Sequence, residues 1–155
     1  MKKNYKNKKG GAGAVATTTK KPAPGERKAF RKRIVLSNNS AFAVQGLQKL
    51  GPETMLTKGT SGQIIGLPDT VVDQLRSLEA FKSTQSWGLF RQPHFLARKE
   101  TVNVIHRMNK AAQEKKEAFK CVLVGSKLSG KSMAMLQAQA HALVNGWVAI
   151  HIPEG

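Results

Sequence analysis

The sequence predicts an α/β fold: a strand, a helix and a second strand in its last quarter, preceded by helices and by a long basic arm. Three observations carry this prediction. Two short apolar runs, Cys121-Val122-Leu123-Val124 and Trp147-Val148-Ala149-Ile150-His151-Ile152, have the length and β-branched content of strands. Between them a glycine-rich turn opens a helical stretch from Lys131 to about Asn145, which Gly146 closes. The charge is uneven as well. Of 26 Lys and Arg residues in a 155-residue chain of formal net charge +17, the first 33 positions hold 12, beside a single acid, Glu26.

Residues 1–33 read as a disordered tail, because Lys, Gly, Thr and Pro dominate and too little apolar surface is available to offset the entropy of ordering. Its cations, Lys2, Lys3, Lys6, Lys8, Lys9, Lys20, Lys21, Arg27, Lys28, Arg31, Lys32 and Arg33, form a candidate polyanion site. RNA or DNA fits better than a lipid surface, since neither a lipidation site nor an apolar anchor accompanies the charge. Residues 34–66 mix short apolar pieces with Gly and Pro breaks and read as an extended arm. Residues 67–119 form a helical lead-in. There Pro68 and a cap at Asp69 or Thr70 precede Val71, Val72, Leu75, Leu78 and Phe81, a helical period running to about Lys82. Trp87-Gly88-Leu89-Phe90-Arg91-Gln92-Pro93 breaks it, and a second helix is expected from Glu100 to about Glu117. Residues 120–155 begin the α/β domain, and the unit is incomplete. Two short parallel strands leave edges and faces that need further strands, a partner or more chain to cover them.

Several classes fall away. No apolar run approaches the roughly 18 residues of a membrane span, so no membrane partner is expected. A single cysteine, Cys121, excludes an internally disulfide-stapled scaffold and fits a reducing compartment. The N-terminal segment lacks the apolar stretch of a secretory signal. As a transit peptide it is suitably poor in acids, but it is Lys-rich, serine-free and without an apolar helical face. His94, His106, His141 and His151 are scattered without metal-ligand spacing. Asp69 and Asp73 suit the electrostatics of a helix N-terminus, and Trp87, Phe90 and Phe95 suit packing more than base stacking.

The chemistry lies in Gly125-Ser126-Lys127-Leu128-Ser129-Gly130-Lys131-Ser132, which matches G-x-x-x-x-G-K-[ST] after an apolar strand and at a helix start. In such a phosphate loop, or P-loop, backbone N–H groups and the positive helix end converge on phosphate oxygens. Lys131 would reach the β and γ phosphates and the Ser132 hydroxyl would ligate Mg²⁺. The fold class is therefore P-loop NTPase-like, with a nucleotide bound by residues 125–132. One position departs from the usual pattern: Leu128 stands where glycine is common, and a positive φ there costs on the order of 1 kcal/mol. Turnover is not expected, because phosphoryl transfer also needs a second acidic Mg²⁺ partner and a residue that orients water. Glu154, the acid after the loop, reads as a solvated residue behind Pro153.

Certain runs carry a family resemblance. They are Gly66-Leu67-Pro68 with the helix after it, the Gly88 to Pro93 turn, the strand and P-loop, and the ending from Gly146 to Glu154. Over residues 24–155 the chain resembles the death-associated protein 3 family, the P-loop protein of the mitochondrial small ribosomal subunit. The block from Pro24 to Arg33 with Ile34-Val35-Leu36-Ser37-Asn38 is similar to its fungal branch. This resemblance implies a constitutive ribosomal protein of the mitochondrial matrix, touching small-subunit ribosomal RNA and neighbouring ribosomal proteins. It also implies a bound GTP or GDP on residues 125–132. ATP stays open, since nothing after the loop reads a base, and so does the reading of the chain as the front end of an active P-loop ATPase acting on nucleic acid. In the family the α/β domain continues for several more strands and helices, so the chain is expected to be the N-terminal part of a longer product.

Overall fold

A computed structural model describes residues 34–114 and 118–152, all within one compact unit that begins at Lys32. The twelve tail cations, the reading of residues 1–33 as disordered, and Glu154 lie outside the described residues.

The architecture is mixed α/β. Strand β1 (Gln48–Lys49) pairs in parallel with β2 (Ile64–Gly66), which pairs antiparallel with β3 (His94–Leu96). Ile65 stands opposite Gln48 on one side and Phe95 on the other. At the end of β2 the Leu47 side chain packs close over Gly66, where a Cβ would meet its Cδ2 at 2.9 Å and make it shift. Residues 34–66, expected as an extended arm, thus supply two of the three strands and four core side chains, Leu36, Leu50, Met55 and Ile65. Two- and three-residue strands carry too little alternation to be legible, and the buried contacts decide.

Helix α1 (Asp69–Ser77) starts after Pro68, whose fixed φ of −62° suits the entry, and buries Val71, Val72 and Leu75. It stops five residues before the expected end at Lys82. Glu79 takes a left-handed φ of 54°, its N–H donates to Arg76 O, and the Ala80 N–H donates to Leu75 O at 3.0 Å. These two bonds form a Schellman closure, which turns Ala80 and Phe81 back into the core. Phe81 there meets the Trp87 ring edge-on, with centroids 5.2 Å apart. Trp87 and Phe95 are both buried, so packing is their use, as read from the sequence.

Helix α2 (Lys99–Glu114) buries Thr101, Val102 and Ile105, and α3 (Lys131–Val144) packs across α1 and α2 through Leu136 and Ala140. At the end of α3, Gly146 N–H donates to Leu143 O and Trp147 N–H to Ala142 O, the same closure with glycine at φ 72°. The two flanking segments differ from expectation. Residues 121–124 and 147–152 follow the chain on either side of α3, yet neither joins a ladder among the described residues. Val122, Val124, Val148, Ile150 and Ile152 are each more than 80% exposed. The strand–helix–strand expectation for residues 120–152 is therefore met at the helix only: an apolar run forms a strand where a partner's backbone pairs with it, and among the described residues none does. Among the described residues no helix is long and apolar enough to cross a membrane.

Candidate functional site

The loop between residue 124 and α3 is shaped by three unusual backbone or packing positions. Leu128 takes φ 65°, the left-handed value that made leucine an anomaly there, and its side chain is 94% exposed, outside the loop. The strain is on the order of 1 kcal/mol, and the leucine side chain stands in solvent. Gly130 takes φ 90°, and a Cβ on it would lie 2.7 Å from the Arg98 guanidinium. At Gly125 a Cβ would lie 2.9 Å from Ser129 Oγ. Gly130 is thus the position where the backbone itself favours glycine, while at Gly125 the near atom is a hydroxyl that can turn aside.

Lys131 bends back into this loop. Its Nζ donates to Gly125 O at 2.9 Å, to Ser126 O at 2.7 Å and to Ser129 Oγ at 3.3 Å, which engages all three ammonium hydrogens. The first turn of α3 carries no acidic residue and no side-chain cap, while Gly130 O accepts the opening helix bond from Ala134 N–H at 2.9 Å. Uncapped N–H groups, a positive helix end and a converging lysine are the elements an anion needs. Ser126, Lys127 and Ser132 are exposed at the same end, so the structure brings residues 125–132 together as the motif requires.

One participant has no signal in the sequence. Arg98, 31 positions before Ser129, donates from Nη1 to Ser129 O at 2.6 Å and pairs through Nε with Glu100 at 3.5 Å. The other reactive groups sit elsewhere. His141 is fully buried, its Nε2 3.0 Å from the Asn109 amide nitrogen, and burial pushes its imidazole below the usual histidine range, with Glu53 opposing. His94 Nδ1 lies 3.0 Å from Gln92 O, and His151 Nδ1 lies 2.8 Å from Gln139 Nε2. Among the described residues no three His, Cys, Asp or Glu side chains are grouped to hold a metal. Cys121 is exposed.

Beside the loop, α2, α3 and the two extended segments enclose an apolar groove of about 530 Å³, with Met108, Leu123, Ala138 and Trp147 on its walls. It holds the inward side chains of both expected strands.

The family model for "Mitochondrial ribosomal death-associated protein 3" matches residues 95–155, which include the last two residues of β3, α2, the loop and α3. A Neurospora crassa protein named "Small ribosomal subunit protein mS29" is 49% identical over 140 residues, which are 90% of this chain and 30% of that protein. The chain thus spans about a third of the length of the curated relative it matches. By these two matches the chain is similar to the mitochondrial ribosomal death-associated protein 3 family.

Proposed function

We propose that the chain is a structural component of the small subunit of the mitochondrial ribosome, resident in the mitochondrion within that particle. The observation that carries this is the 49% identity, over nine-tenths of the chain, to a protein named for the small ribosomal subunit. The net charge of +17 supports contact with ribosomal RNA, which the cations of residues 1–33 would make, and neighbouring ribosomal proteins would cover the apolar segments that α3 leaves open.

A guanine nucleotide, GTP or GDP with Mg²⁺, is the proposed ligand of residues 125–132. A glycine at positive φ before the helix, an uncapped helix start and a converging lysine fit its phosphates. Lys131 would exchange three neutral acceptors for charged phosphate oxygens, and Ser132 would hold the cation. When bound, the nucleotide supplies charge and shape rather than chemistry. Binding is the role assigned to residues 125–132, whose motif supplies phosphate and Mg²⁺ contacts.

The test has two arms. In a mitochondrial lysate the chain should sediment with small ribosomal subunits; sedimentation free of particles overturns the structural role. Mass spectrometry of small molecules released by denaturing the ribosome-associated protein should find stoichiometric guanine nucleotide, lost in Lys131→Ala. No nucleotide in either form overturns the ligand, and adenine nucleotide with measurable hydrolysis would point to an ATPase.

A further inference from the structure

Arg98 stands in the corner between β3 and α2, and its backbone there is fixed. The preceding residue, Ala97, is fully buried and exchanges hydrogen bonds with the loop before β2, donating to Gln63 O at 2.9 Å and accepting from Gly62 N–H at 2.7 Å. Arg98 O in turn accepts the Val102 N–H at 3.0 Å, which opens α2. From this anchored point the guanidinium crosses to the phosphate loop and donates to Ser129 O at 2.6 Å. A second tie runs between the same two parts of the chain, from Gln137 Nε2 on α3 to Leu96 O at 3.1 Å. The loop is thus referenced to the rigid sheet corner and not only to its own helix.

The peptide bond gives this contact a directional meaning. In a planar trans peptide the C=O and the N–H point to opposite sides, so a cation that holds Ser129 O also fixes the Gly130 N–H pointing away from Arg98. The positive charge at the carbonyl end polarises the unit and strengthens that N–H as a donor. Gly130 answers the same geometry: its φ of 90° turns the chain, and its missing side chain leaves the guanidinium room to approach.

We propose that Arg98 is a positioning residue of the phosphate loop, holding the Ser129–Gly130 peptide in the orientation that binds a nucleotide phosphate. This rests on the nucleotide reading of residues 125–132. Arg98 acts through the loop backbone, and Glu100, on the other side of its guanidinium, is not needed for the effect.

The experiment measures the affinity of the whole 155-residue chain, in Mg²⁺ buffer, for a fluorescent GDP analogue. Arg98→Ala should weaken binding about tenfold, the factor that one hydrogen bond from a charged donor is worth. Arg98→Lys keeps a cation within reach and should recover part of the loss, while Glu100→Gln should stay within about twofold of the parent. Hydrogen exchange of the loop amides should quicken in Arg98→Ala while the α1 amides stay protected, which separates loop positioning from a general loss of packing. Equal affinity in parent and Arg98→Ala, with Lys131→Ala inactive, overturns the role of Arg98 and leaves the nucleotide reading standing. A parent that binds no better than Lys131→Ala overturns the nucleotide reading, and the role of Arg98 with it. Should Arg98→Ala fail to fold, Arg98→Met, which keeps the aliphatic stem without the charge, decides: unchanged exchange and affinity in Arg98→Met beside an inactive Lys131→Ala overturn the role of Arg98.

Discussion

Residues 34–105 and residues 118–152 contain similar apolar side chains and use them in opposite ways. In the first region aliphatic and aromatic residues close on one another: Ile65, Leu75, Phe95 and Ile105 are at most 2% exposed. In the second, Val122, Val124, Val148, Ile150 and Ile152 face outward, although Leu136 and Ala140 between them are buried. The difference teaches that hydrophobicity alone does not bury a residue; a second layer must exist to receive it. The first region has its layers, helices over a small sheet. The extended segments have α2 and α3 on one side and nothing among the described residues on the other.

Substitutions can break or sharpen this contrast. The largest effect should come from Leu75→Ala, a truncation in the closed region, which should cost about 3 kcal/mol of stability in urea unfolding. Val148→Ala, of like chemistry but in the open region, should change it by less than about 0.5 kcal/mol. Equal losses would mean that the chain alone already covers its outer strands. Next in size are the helix ends. Gly146→Ala should cost about 1 kcal/mol because alanine resists a left-handed φ, whereas Glu79→Gly, at the matching position of α1, should gain about 0.5 kcal/mol after the added chain entropy. Leu128→Gly should gain a similar amount by relieving the loop, read as a rise in thermal midpoint without loss of nucleotide affinity.

The smallest effect is on pH. Burial lowers the folded-state pKa of His141 below its ordinary value of 6.5, so the unfolded chain takes up the proton first. The contribution of the neutral imidazole is fully present above that pH and is lost as the pH falls through and below it. Thermal midpoints at pH 7.5 and 5.5 should therefore differ, and less so in His141→Gln.

The two Schellman closures show what the sequence can and cannot tell. At α3 the left-handed position is Gly146, a residue that announces a helix end, and the expected boundary at Asn145 falls within one residue of the observed one. At α1 the same geometry is imposed on Glu79, which carries no such signal, and the helical period of Leu78 and Phe81 pointed past it. The turn at residues 125–130 before a helix was legible because its residues are contiguous and glycine marks it. Arg98 was not, since its partner lies 31 residues away and only the fold brings them together. The sheet escaped notice for the same cause: strands of two or three residues owe their existence to partners, not to their own pattern.

Of the 17 side chains in the core cluster, 15 lie between Leu36 and Ile105, and only Leu136 and Ala140 come later. Chain synthesis runs in that order. The lead-in can therefore collapse on itself before α3 leaves the ribosome that makes it, and α3 then docks on a surface already formed. The loop of residues 125–130 reaches its hydrogen bond to Arg98 only once that corner and the first turn of α3 are both present. A defect early in the chain would therefore be felt at the loop, while a defect in the loop would leave the lead-in intact.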